Sequence, residues 1–183
     1  MTIIDICKEM HHRNWGAKNG NVSKRIDDRT FSVTPSKIAK NDVTDKNLVI
    51  VDLSGTPLGK CKNPTSELKM HLQIYTCRPD VNAIVHAHPP YATAFAVTGK
   101  SIDSSNLVEM SLTIGDVPVA PFAEQGSDAV GESLVPFLKA GHDVILLKNH
   151  GAIAVGDNLT SAFEKLDTLE LCSKTLLYAK LLK

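Results

Sequence analysis

The chain is 183 residues long and 43% apolar, with 20 basic and 20 acidic side chains that cancel. That is enough apolar chain to bury the core of one domain, and the balanced charge leaves no footprint for nucleic acid or an anionic membrane as partner. Four scattered cysteines without a C-x-x-C pair argue against a cysteine-built zinc site, and the lack of a signal-peptide core or a spanning run predicts a soluble, cytoplasmic protein.

Thr2 to His12 carries Ile3, Ile4, Ile6, Cys7 and Met10 on or near one face, which predicts a first helix; His11 and His12 read as surface or packing residues. Asn19-Gly20-Asn21-Val22-Ser23 reads as a loop of small residues, a plain turn or one whose backbone N–H groups face an anion. Thr30 to Thr34 alternates as a strand stopped by Pro35. Leu48 to Leu53 is a stronger strand, followed by turn residues and a short partner. Asn63-Pro64-Thr65-Ser66-Glu67 reads as a helix start, with Leu68, Leu72 and Tyr75 spaced for an inner face. Its hydroxyls suit either plain capping or an anion at the helix N-terminus.

Ala83-Ile84-Val85 predicts a short buried strand that runs into His86-Ala87-His88 and is ended by Pro89 and Pro90. Tyr91 to Val97 then reads as a helix, Ser104 to Ile114 as a mixed segment, and Val117 to Pro121 as an edge strand, because its prolines would break a central ladder. Ser127 to Lys139 is an amphipathic helix capped by Ser127 and ended by Gly141. Asp143 to Gly151 is a buried strand that delivers His150 at its end, and Ala152 to Val155 returns from it. The last helix, Leu159 to Leu182, places Phe163, Leu166, Leu169, Cys172, Leu176 and Ala179 in one stripe. With no repeat or linker, a single α/β domain with a mixed sheet is expected.

Side chains on a strand repeat every two residues, so His86 and His88 share a face and can converge on one ion; the alternative is two rings satisfied by ordinary hydrogen bonds. His150 repeats the arrangement. Three imidazoles, a carboxylate at a helix start and an open position describe a catalytic zinc site better than a structural one, which four protein ligands would close. Hydrolases with H-x-H-x-D-H are excluded because Pro90 and Tyr91 stand where Asp and His are needed. Cupins are excluded by Ala92 and Thr93, and an amidohydrolase barrel by length.

In order, Gly20-Asn21-Val22-Ser23, Thr34-Pro35-Ser36, Pro64-Thr65-Ser66-Glu67, the run from Arg78 to His88, and Asn149-His150-Gly151 resemble the class II aldolase/adducin family, most closely its sugar-phosphate aldolases. The resemblance implies a three-layer α/β/α fold with a central, mostly antiparallel sheet, and a homotetramer with active sites between subunits. It implies Zn²⁺ on His86, His88 and His150, with Glu67 touching the metal when the site is empty and serving as general acid/base with substrate. Gly20, Asn21, Ser36, Thr65 and Ser66 match positions that hold a substrate phosphate, and Lys37 stands where the family usually has glycine. No basic cluster is expected around that phosphate. The implied reaction cleaves a ketose 1-phosphate to dihydroxyacetone phosphate and an aldehyde, through an enediolate stabilised by the cation. Epimerases, dehydratases and decarboxylases of the family share that chemistry, and adducin-like members are interaction modules. Leu107 falls near a tyrosine that handles the aldehyde half.

Overall fold

The computed structural model describes residues 1–16 and 18–182. Helix α1 (Ile3–His12) starts from a reciprocal cap: Thr2 Oγ1 accepts from Asp5 N, and the Asp5 carboxylate accepts from Thr2 N. Strands β1 (Asn21–Arg25), β2 (Thr30–Val33), β3 (Val49–Asp52) and β4 (Pro57–Leu58) form a meander. They are followed by α2 (Leu68–Cys77), β5 (Ala83–Ala87), α3 (Pro90–Thr98), α4 (Val108–Thr113), β6 (Val119–Ala120) and α5 (Asp128–Lys139). A hairpin of β7 (Val144–Leu147) and β8 (Gly151–Gly156) and the long helix α6 (Leu159–Leu181) complete the chain.

The eight strands form one sheet in the order β4-β3-β2-β1-β5-β8-β7-β6, antiparallel throughout except for the β6–β7 pair at one edge. Alternation along the strands splits the core in two. Val22, Ala83, Val85, Val144 and Leu146 face α1, α3, α4 and α6, whereas Phe31, Ile84, Ile145, Ile153 and Val155 face α2 and α5. The result is the expected three-layer α/β/α arrangement.

Several local readings change. Asn19 to Ser23 is loop only in its first half: Gly20 turns with φ +75° and Asn21 already pairs in β1, opposite His86. The segment Thr65–Glu67 is a non-helical turn, and α2 starts only at Leu68. Its buried face is therefore Met70, His71, Ile74 and Tyr75, with Leu68 and Leu72 half-buried at the margin. Ser127 occupies the N-cap position of α5, but its hydroxyl donates to Glu124 O and makes no side-chain cap. The 104–114 segment resolves into a 3-10 turn and α4. The stripe on α6 is fully buried as far as Cys172 and half-buried at Leu176, but Ala179 is exposed, as are Leu171, Tyr178 and Leu181. No helix among the described residues is long and apolar enough to cross a membrane.

Candidate metal centre and adjoining anion pocket

Three elements bring the histidines together. His86 lies within β5, and His88 follows on the same face, held by a backbone bond from its N–H to Trp15 O. His150 is not on a strand but in the three-residue connection of the β7–β8 hairpin, where Asn149 takes a left-handed conformation (φ +59°) that asparagine tolerates. The β5–β8 ladder sets that connection beside the end of β5. Gly151 makes the approach possible, since a Cβ there would lie 2.6 Å from both Ala87 O and His88 Cδ2. One nitrogen from each ring then falls within 4.8 Å of the others.

Hydrogen bonding aims these nitrogens. His86 Nδ1 donates to Ala152 O at 2.9 Å, so Nε2 is the nitrogen it turns to the cluster, 3.2 Å from His88 Nε2. Burial pushes His88 down to about 3 and His150 down to about 4, with the neighbouring His86 adding to both, so these two rings are neutral. Glu67, 1% exposed, enters from the turn before α2. Its Oε2 is 3.2 Å from His86 Nε2, and its Oε1 is 3.5 Å from His150 Nε2. Burial alone would raise the Glu67 carboxyl, but His86, His150 and the Asn21 amide outweigh it and hold it well below the usual carboxylate range. In the opposite sense, burial would lower His86, yet the Glu67 carboxylate raises it. Glu67 Oε1 and His150 Nε2 are buried without a hydrogen-bond partner, a cost that a cation would remove. Three imidazoles, a carboxylate and two buried polar atoms without a partner fit a divalent metal ion.

Behind Glu67 runs a buried chain of hydrogen bonds that the sequence reading missed. A carboxylate only accepts, so Asn21 presents Nδ2 to Glu67 Oε2 at 2.8 Å and turns Oδ1 toward His71 Nε2 at 2.6 Å. His71 Nε2 must then carry the proton, leaving Nδ1 to accept from Ser23 Oγ at 2.7 Å, while Ser23 Oγ accepts from Tyr75 OH at 2.8 Å. Burial pushes His71 down to about 3, consistent with this neutral tautomer. The available signal was spacing: His71 lies four residues after Glu67, one turn into the helix that Glu67 precedes.

A second cavity opens on the other side of Glu67. Two cross-chain bonds, Thr65 N to Thr34 O and Ser36 N to Asn63 O, lay Thr34-Pro35-Ser36 against Pro64-Thr65-Ser66. Gly20, Asn21, Ser36, Thr65, Ser66 and Glu67 line the space between them. Gly20 has to be glycine, since a Cβ would meet His86 O at 2.6 Å in addition to the positive φ. Lys37 lies at the exposed rim. Contrary to expectation the surroundings are basic: Lys18 and the buried Lys40 line the pocket as well as Lys37. Leu107 is half-buried against the core and contributes no polar group.

A family model described as "Class II Aldolase and Adducin N-terminal domain" matches residues 1–177. The chain is 34% identical over 172 residues to a Methanococcus maripaludis protein named L-fuculose phosphate aldolase, covering 93% of this chain and 91% of that one. It is 32% identical over 160 residues to a Pectobacterium atrosepticum protein named 3-oxo-tetronate 4-phosphate decarboxylase, covering 85% and 72% respectively. A solved structure titled L-fuculose 1-phosphate aldolase superposes with a TM-score of 0.90 at 29% identity, over 97% of this chain and 84% of that one.

Proposed function

The chain belongs to the class II aldolase/adducin family, and on that premise we propose that it is a metal-dependent aldolase that cleaves a ketose 1-phosphate to dihydroxyacetone phosphate and an aldehyde. One observation carries this reading. A single buried carboxylate, Glu67, faces a histidine cluster suited to a divalent ion on one side and a hydroxyl-lined pocket suited to a phosphate on the other. His86, His88 and His150 would hold the ion, zinc by donor type. Such an ion supplies Lewis-acid stabilisation of the negative charge that carbon–carbon cleavage leaves on substrate oxygens.

The residues divide the remaining work. Gly20, Asn21, Ser36, Thr65 and Ser66 would grip the phosphate, with Lys37 at the rim, and so fix the reacting carbons relative to Glu67. Within Glu67 the two oxygens differ: Oε2 is tied to Asn21 Nδ2, whereas Oε1 is unpartnered and is the atom placed to take and return the proton. The class II aldolase-type unit would span the whole chain, working as a homotetramer with active sites between subunits. A second reading, phosphorylated oxo-acid decarboxylation, is favoured by the likeness to the Pectobacterium protein and would use the same groups.

The test is metal analysis of the purified protein, followed by a screen of ketose 1-phosphates for release of dihydroxyacetone phosphate. Release from a phosphorylated ketose but not from the free sugar supports the reading; carbon dioxide from an oxo-acid phosphate would transfer it to the decarboxylases. Glu67→Gln should keep its metal and lose at least about 100-fold in turnover. Near-normal turnover would remove Glu67 from the mechanism.

A further inference from the structure

Lys40 is 2% exposed, an unusual place for an ammonium. It begins a 3-10 turn, Lys40–Asp42, packed against α1, and reaches toward the pocket lined by Ser36, Thr65 and Ser66. Among the described residues its three donors find one hydrogen bond, to Lys18 O at 3.4 Å, and no carboxylate lies within 4.0 Å of its nitrogen. Buried charges are ordinarily paired, because an uncompensated one costs several kcal/mol of desolvation (roughly 3–5 where a partner has been removed). Burial accordingly lowers the Lys40 pKa, with Cys7 and Glu67 opposing. A buried cation without a carboxylate partner, lining the same cavity as Ser36, Thr65 and Ser66, is an interaction left for a ligand to complete.

We infer that Lys40 is the charged anchor of the substrate phosphate, closing from below the pocket whose neutral donors come from Ser36, Thr65 and Ser66. Resting as it does on the proposed phosphate pocket, the assignment changes its character: the pocket recognises charge as well as shape, and the cation responsible is the buried Lys40 and not Lys37. Lys37 also lines the pocket but is exposed, so water and salt screen its charge. At Lys40 the surrounding protein leaves the attraction much less screened, so phosphate affinity should fall only shallowly with ionic strength. The arrangement also predicts an opposition between stability and binding, because the ligand and not the fold satisfies the charge.

Calorimetric titration of inorganic phosphate into the purified protein tests this. Lys40→Met should weaken binding by about 10- to 100-fold, the span expected for a hydrogen bond to a charged group. Its urea midpoint in phosphate-free buffer should equal or exceed that of the wild type. Thr65→Ala combined with Ser66→Ala reports on the pocket itself. If that pair weakens phosphate but Lys40→Met leaves it within about twofold, the Lys40 assignment is overturned and the pocket stands. If neither change matters, the pocket reading falls and takes the assignment with it. A lowered midpoint for Lys40→Met would mark a lysine that serves the fold, and would also overturn the inference. Should that variant not fold, the wild type decides: phosphate must shift the Lys40 Nζ nitrogen resonance, and an unmoved signal refutes the contact.

Discussion

Lys37 shows how one side chain can sit at odds with its own backbone. Its φ of +63° lies in the left-handed region, which costs an L-residue roughly 1–2 kcal/mol and glycine almost nothing. Lys37→Gly should therefore raise unfolding stability by up to about 1 kcal/mol in a urea titration; an unchanged or lowered value would mean that the lysine side chain contributes packing its exposure does not suggest. His71 makes a second prediction. Buried and neutral, it is pushed down to about 3 from the ordinary 6.5, so between those values the unfolded chain binds a proton that the folded chain does not. Stability from this group is complete above pH 6.5 and is lost as pH falls toward 3, at about 1.4 kcal/mol per pH unit. His88 and His150 act in the same sense. His71→Gln should flatten the acid slope by about one proton without abolishing it, measured as urea stability from pH 7 to 4, and an unaltered slope would show that His71 titrates normally.

At the scale of elements, α3 begins immediately after His88, and its first free N–H groups are capped by another helix. Pro90 has no N–H to satisfy, and Glu170 on α6 accepts from Tyr91 N at 3.1 Å and Ala92 N at 2.8 Å, one bond per oxygen. Glu170→Gln keeps one acceptor and sets an amide N–H against the other donor, so it should cost about 1–3 kcal/mol. Hydrogen exchange at Tyr91 and Ala92 locates the loss; if exchange there stays as slow as in the wild type, the cap is not made. The elements also mark what the sequence discloses. The β5 strand and the histidines at its end were legible because alternation and the paired prolines are local signals; His150 was expected at the end of a strand and lies instead in the turn after β7, where the apolar run before it masked the turn residues Asn149 and Gly151. Lys40 and His71 were not. Lys40 stands in a polar stretch that reads as solvated and is buried only because α1 folds over it. His71 falls between Leu68, Leu72 and Tyr75, the residues the sequence marks as inner, and only packing shows that the buried face of α2 runs through Met70, His71 and Ile74.

For the whole molecule, the proposed assembly has a physical counterpart in its surface. Leu112 is 81% exposed and Val108 70%, both on α4, with Leu171 and Leu181 of α6 also open to solvent. Apolar side chains exposed in such number suit contacts between copies of the chain. Sedimentation equilibrium should give four times the 19.8 kDa chain mass, and Leu112→Asp should lower it; a monomer with full turnover would end the tetramer proposal. The β5–β8 ladder carries a further consequence, for errors of assembly. Two histidines from one strand and a third from a distant hairpin are brought to one place by backbone pairing, and a slip of one residue in the register would send His86 through to the opposite face of the sheet. The geometry of the site is thus tied to the register of the sheet. An error of register in that ladder would therefore cost the proposed site as a whole and not one ligand of it.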